Sequence, residues 1–377
     1  MQSLERGTRP RPGPNRFVGA MALATATVLA ACADATVVPT TREPVDLAAS
    51  WETASLRDVG IDPLSLLAAV RAADDIDRLR SLLVVRHGRL ALERYFHGAT
   101  RETRADVRSV TKSVVGALTG LALEDGALEG VDQPFTDLLA GPQPALRPEH
   151  NGITVAHLLT MSSGIEWSEA GSTGYLEWVT ADDPVGYVLE RALAADPGTT
   201  FAYNSGAVHL LSLAVADAAG RSLPAYADER LFGPLGISGA EWESLGTATV
   251  NGASGLDLRP RDLARFGQLY LQGGRSGDRQ LLPPEWVEAS FQPVWPTLGE
   301  VRGVGAVSYG RLFWIDLDRD AAFAWGFGGQ YLYVVPRLDL VVVVTTEWRG
   351  VSEDVGNRWL EERAVSLIVD GVLPAVR

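Results

Sequence analysis

The chain predicts an α+β sandwich: one antiparallel sheet built from its N- and C-terminal segments, flanked by helices, with a helical lobe inserted over about 110–270. Three observations lead there. Strand-like apolar runs lie at 81–96 and beyond 312, while the middle reads as helix and loop. The C-terminal runs are joined by turns too short for a crossover helix, which makes neighbouring strands antiparallel. With 46% apolar residues in 377, the chain can fill one large core or two intimately packed ones.

Residues 1–31 read as an export signal. Arg6, Arg9, Arg11 and Arg16 form a basic n-region, and 17–31 is a continuous small and apolar stretch. It is too short to be a comfortable membrane span. It ends in Leu29-Ala30-Ala31-Cys32, and Cys32 is the only cysteine. This ending resembles the bacterial lipobox, whose cysteine becomes the lipidated first residue. A plain secretory peptide cleaved near Ala31 or Ala33 is the alternative. One cysteine leaves no internal disulfide. Residues 32–52 read as a lipid-anchored tether, leaving 53–377 as the catalytic domain.

Residues 62–76 have the periodicity of a first helix. Residues 81–86 are a buried strand, His87-Gly88 a tight turn, and 90–96 the return strand. Ser109 then opens 110–123, apolar all round and stopped by Asp125-Gly126: a central, buried helix. Its Gly116 and Gly120 allow close packing at some cost in helix propensity. Residues 130–235 are helix and loop, rich in Gly, Pro and Asp. Arg259-Pro260-Arg261-Asp262 starts a helix with Leu263, Phe266, Leu269 and Tyr270 as its apolar residues. Strands are expected at 312–315, 331–335 and 340–346, and a last amphipathic helix over about 355–369.

Composition excludes several functions. A net charge of −14 with no basic stripe argues against nucleic acid. His87, His97, His150, His157 and His209 show no metal-ligand spacing, HExxH is absent, and so is a G-x-x-x-x-G-K loop; no metal or cofactor is called for. His157 reads as a structural histidine, and nothing near His209 makes it a triad base. Trp167, Trp178 and Trp348 read as core or rim. Asp182-Asp183-Pro184 reads as a helix start.

One residue stands apart. Of 33 basic side chains, 32 are arginine; the exception is Lys112, three residues after Ser109. Arginine serves at most surface positions, but a guanidinium never loses its proton, whereas a buried amine does so readily. At i and i+3 on a helix the two side chains share one face. Ser109 sits at the helix N-terminus, where free N–H groups favour developing negative charge. Apolar surroundings would push the Lys112 pKa down and make it a base for the serine hydroxyl.

The pattern S-x-x-K here resembles the serine β-lactamase and penicillin-binding-protein superfamily, in particular its class C-like branch with family VIII carboxylesterases and 6-aminohexanoate-oligomer hydrolases. The segments that carry the resemblance are Arg108 to Gly116, Ile153 to Gly164, Phe201-Ala202-Tyr203-Asn204-Ser205-Gly206, Gly255 to Gly267, and Trp325-Gly326-Phe327-Gly328-Gly329-Gln330. The resemblance implies the β-lactamase/DD-peptidase fold and an acyl-enzyme on Ser109. It implies that Tyr203, partly phenolate beside the lysine, shares the proton transfer. It also implies an oxyanion hole from the N–H of Ser109 and of Gly329 or Gln330, and substrate contacts from Ser205, Trp325, Phe327 and Gly328. Two departures matter. Ser205 stands where the family has Asn, and Phe327 where it has Lys or His. Both argue against β-lactams and D-Ala-D-Ala peptides and toward neutral esters or linear amides, with Arg349 as a compensating cation. A DD-peptidase or weak β-lactamase, and a non-catalytic envelope binding lipoprotein, are the alternatives.

Overall fold

The computed structural model describes residues 43–170, 174–246, 249–351 and 355–377. The expected signal segment and Cys32 lie outside these residues. No helix among the described residues is long and apolar enough to cross a membrane.

Helix α1 (Pro63–Asp74) starts where expected, because the Asp62 carboxylate caps it by accepting the Ser65 N–H and Pro63 fits the first turn. Strands β1 (Leu79–Arg86) and β2 (Arg89–Tyr95) form a hairpin whose turn puts His87 and Gly88 at positive φ. Helix α2 (Val110–Glu124) is buried from Val110 through Ala122. Helices α3 (Ser205–Ala218) and α4 (Pro260–Leu271) follow. The C-terminal part supplies β3 (Glu300–Val301), β4 (Val304–Tyr309), β5 (Trp314–Asp316), β6 (Ala321–Gly326), β7 (Gln330–Val335), β8 (Leu340–Thr346) and helix α5 (Val355–Ser366).

Among the described residues these strands form one eight-stranded sheet in the order β3-β4-β5-β6-β7-β8-β1-β2, every pair antiparallel. The expected closure of the two chain ends is the β1–β8 pairing, with Val84 opposite Val342. Side chains alternate faces along a strand. On β7, Leu332 points to α4, where a Cβ at Gly267 would stand 2.6 Å from its Cδ1; Tyr331 points to α5, its hydroxyl 3.4 Å from the Glu361 carbonyl. Helices therefore cover both faces of the central strands, which explains their unbroken Val and Leu runs.

Three expectations need correction. Helix α4 packs on β1, β7 and β8, so the helical lobe ends before it. The tether ends earlier than residue 52: Leu47 is buried, and its N–H donates to Ser276 Oγ at 2.8 Å. The Leu47 carbonyl accepts from Arg265 Nε of α4 at 2.8 Å, and Val45 beside it also packs on the core. The strand expected at 312–315 begins at Trp314, because Leu312 takes a left-handed φ of 58°. Strand β6 went unread because Ala321, Ala322 and Ala324 weaken its strand signal.

Candidate active site

The nucleophile segment is shaped before α2 begins. Asp106 accepts the Arg108 N–H at 3.1 Å, and Arg108 adopts φ +50°, a costly conformation for a non-glycine residue. This twist delivers Ser109 as the N-cap of α2, half-buried, with its side chain making no capping bond. The hydroxyl is left for chemistry.

One turn on, Lys112 is 1% exposed. Its Nζ donates to Ser109 Oγ at 3.0 Å, to Ser205 Oγ at 2.9 Å and to the Ala253 carbonyl at 3.0 Å. Three acceptors match the three hydrogens of an ammonium. Burial brings its pKa down to about 7, the Glu169 carboxylate pulls it up, and the nearby Arg108 guanidinium pushes it further down. The amine is thus half-deprotonated near neutrality, the condition for a general base.

Tyr203 lies beside this pair, with the Lys112 Nζ 5.0 Å from its ring centroid. Its ring stacks on Trp314 at 5.7 Å and meets Tyr309 edge-on at 6.2 Å. Trp325 extends this aromatic wall, 5.9 Å from Trp314. The surroundings work against the expected phenolate. Burial raises the Tyr203 pKa above the ordinary phenol value, and a hydrogen bond with Ser109 offsets this only in part. Burial thus favours the neutral phenol.

The strand side of the site also differs from expectation. Trp325 and Gly326 end β6, Phe327 to Gly329 form a turn, and Gln330 starts β7. The Gly329 N–H donates to the Gly326 carbonyl at 3.2 Å, closing that turn, and so is engaged. A Cβ at Gly329 would touch Ala364 on α5, the face of the sheet away from α4. The Gln330 side chain is wholly buried on Thr346. The Gly329 N–H is thus not free to serve as the expected oxyanion donor. The Gly328 N–H is held by the buried Glu361 carboxylate at 2.9 Å, which removes it as a substrate contact. Phe327 is half-buried, its ring edge-on to Trp348 at 5.7 Å. Its backbone N–H, like that of Ser109, has no hydrogen-bond partner among the described residues. Pairing between β5 and β6 stops at Phe323, so the end of β6 has an open edge. The nucleophile segment fits closely there: a Cβ at Gly326 would stand 2.2 Å from the Val107 carbonyl.

Ser205 is wholly buried and bonded to Lys112 and Glu169, which corrects its expected role as a substrate contact. Asn204 caps α3 by accepting the Ala207 N–H at 2.8 Å. Arg349 is tied to Asp106 at 3.0 Å and stacks on Trp348 with Arg108 on the same ring. His157 shares a capping box with Thr154, and Asp183 caps the helix it was expected to start. His209 is fully buried, with burial lowering its pKa to about 4. Trp178 is core, while Trp167 reaches Glu169 at 2.7 Å. Glu169, Arg108, Tyr175 and Ala253 were not singled out from sequence. Arg108, which donates to the Tyr175 hydroxyl at 2.5 Å, was quoted only as motif context. Glu169 and Ala253 come from loops, and Tyr175 from the start of a short helix, none with a local signature.

Fold and site together define a class: a serine hydrolase of the β-lactamase fold, with a buried amine beside the nucleophile. The chain belongs to the beta-lactamase family, whose model matches residues 78–366. It is 26% identical over 291 residues to the 6-aminohexanoate-dimer hydrolase of Paenarthrobacter ureafaciens, covering 71% of this chain and 72% of that one. It is 25% identical over 188 residues to the D-alanyl-D-alanine-carboxypeptidase/endopeptidase AmpH of Escherichia coli strain K12, covering 44% of this chain; it spans about half of that relative, 48%. Among solved structures, a Bacillus anthracis protein named for 6-aminohexanoate-dimer hydrolase superposes with a TM-score of 0.67 at 22% identity, covering 87% of this chain and 88% of that one. EstCE1, a hydrolase with promiscuous acyltransferase activity, superposes with a TM-score of 0.59 at 18% identity, covering 80% and 98%. Likeness at these identities speaks to the fold.

Proposed function

We propose that this chain is an exported, lipid-anchored serine hydrolase that cleaves carboxylic esters or linear amides through an acyl-enzyme on Ser109. The observation that carries the reading is the 3.0 Å contact between Ser109 Oγ and a buried Lys112 amine with a pKa of about 7. Neutral Lys112 takes the Ser109 proton as Oγ bonds to the substrate carbonyl carbon. The carbonyl oxygen becomes an oxyanion, held by the free N–H groups of Ser109 and Phe327. The bond to the leaving group then breaks, and the proton on Lys112 passes to that group, with the neutral Tyr203 hydroxyl as the donor at hand. Water enters, gives a proton to Lys112 and attacks the acyl carbon. Ser109 regains its proton as the acid product leaves.

The ester or linear-amide preference is supported by the chain's similarity to a 6-aminohexanoate-dimer hydrolase and by the absence of a cation on β6, whose residues are Ala321 to Gly326. A β-lactam or a D-alanyl-D-alanine peptide carries a carboxylate that such a cation would bind. Export and anchoring are read from 1–31 and Cys32; metabolic palmitate labelling of the full chain, lost in Cys32→Ser, is the check. The catalytic reading is tested by fluorophosphonate labelling followed by p-nitrophenyl butyrate and nitrocefin turnover. Labelling and ester turnover lost in Ser109→Ala, with little nitrocefin cleavage, is the expected result. A folded wild type that neither labels nor turns over an acyl substrate would overturn it in favour of a binding lipoprotein. Slow, persistent labelling by a fluorescent penicillin would instead favour a DD-peptidase.

A further inference from the structure

We propose that Glu169 is a positioning residue that, through Ser205, aims the Lys112 amine at Ser109 and sets the pH at which the amine becomes a base. The inference rests on the catalytic reading above for its consequence, but not for its test.

Glu169 lies on a loop between Ile165 and the short helix starting at Tyr175, with an exposed side chain. Its two carboxylate oxygens are nonetheless committed. Oε1 accepts the Ser205 N–H at 2.6 Å and the Trp167 indole N–H at 2.7 Å, and Oε2 accepts the Ser205 hydroxyl at 3.1 Å. The Ser205 N–H belongs to the first residue of α3, one of the amides a helix cannot satisfy itself. Glu169 thus fastens its loop to the α3 N-terminus, where a negative charge is favoured.

The consequence for Lys112 is directional. A carboxylate only accepts, so the Ser205 hydroxyl must donate to Glu169. Its oxygen is then free only to accept, which it does from Lys112 Nζ at 2.9 Å. The Ala253 carbonyl also only accepts, at 3.0 Å. A neutral amine has two hydrogens and one lone pair, and both hydrogens now have fixed destinations. The lone pair is left toward the third neighbour, Ser109 Oγ at 3.0 Å. Without Glu169, the Ser205 hydroxyl could turn its proton toward the amine and occupy the lone pair.

The same carboxylate acts through its charge. The groups facing Lys112 are Ser109 and Arg108 from its own segment, Tyr203 and Ser205 at the start of α3, Ala253 from the loop after 250, and Glu169. Tyr175 and Tyr309 stand behind them, both raised by burial. Glu169 is the carboxylate among them, and it favours the ammonium.

The composition makes the test direct. Lys112 is the only lysine, so protein grown on ¹³C-lysine gives a single Cε signal, whose titration reads Lys112 without any need for activity. Wild type should titrate near 7. Glu169→Gln, which keeps the size and an acceptor oxygen, should titrate about half a pH unit lower or more. The acid limb of fluorophosphonate labelling should move the same way, while the plateau rate falls several-fold and KM for the ester is little changed. An unchanged Cε midpoint in folded Glu169→Gln overturns the inference, whether or not the protein labels. A shifted midpoint without any wild-type labelling sustains the inference about Lys112 and removes the catalytic reading instead.

Discussion

The two flanks of Ser109 are built differently. On the lysine flank the contacts converge on one buried side chain: Lys112 is 1% exposed, and its amine meets the hydroxyls of Ser109 and Ser205 and the Ala253 carbonyl. The strand flank is mostly backbone: two free N–H groups, a glycine pressed against Val107, and a turn whose Gly328 N–H is held by the Glu361 carboxylate. The lesson is that the amine is fixed by burial, whereas the N–H groups proposed for the oxyanion are fixed by the path of the chain. A change of side-chain chemistry should break the first, and a change of backbone position the second.

The largest effect expected is on the group both flanks serve. Ser109→Ala should lower kcat at least about 10³-fold and abolish fluorophosphonate labelling. Next comes the lysine flank. Lys112→Arg keeps the charge but cannot act as a base, and should lose about 10²- to 10⁴-fold in kcat/KM; an active Lys112→Arg variant would break the argument from burial. On the strand flank, Gly326→Ala adds a methyl where the Val107 carbonyl stands 2.2 Å away. Displacing the strand end by about an ångström should cost about 10²-fold in kcat with Lys112 untouched. Its Cε titration should therefore match that of wild type, which separates the two flanks in one variant.

The acid limb is a smaller effect with a defined sign. Protonation removes the base, so kcat/KM should fall as pH drops through about 7. It should lose about tenfold for each further pH unit, as measured by the pH dependence of ester hydrolysis. The smallest effect is expected at Glu361→Gln. The Gly328 N–H and Arg302 keep an acceptor but lose a charged one, so kcat should drop only a few-fold, about 1 kcal/mol.

The same asymmetry governs what could be read from the chain. Ser109 and Lys112 were legible because their meaning lies in residue type and helical spacing, and Tyr203 entered only through the family resemblance. The central strands β1, β7 and β8 were legible because Val and Leu runs buried on both faces leave a clear pattern, whereas β3, β4 and β6 lack such runs. The oxyanion side misled, because an N–H carries no residue identity; only the turn geometry tells Phe327 from Gly329. Glu169 was invisible for another reason. It reaches Ser205 across 36 positions from an exposed loop, and nothing in its neighbours marks it. The tether boundary failed at Leu47, whose backbone partners Arg265 and Ser276 lie more than 200 positions away.

Lys112 has a use outside catalysis. It is the chain's only side-chain amine, and folding hides it. Apart from the α-amino group, the native protein offers an amine-selective reagent no exposed amine. Acylation at Lys112 would require the α2–α3 contact to open, so the slow appearance of that single adduct measures the free energy of local opening at the site. Most proteins carry exposed lysines that would drown such a signal; here composition has made the site its own reporter.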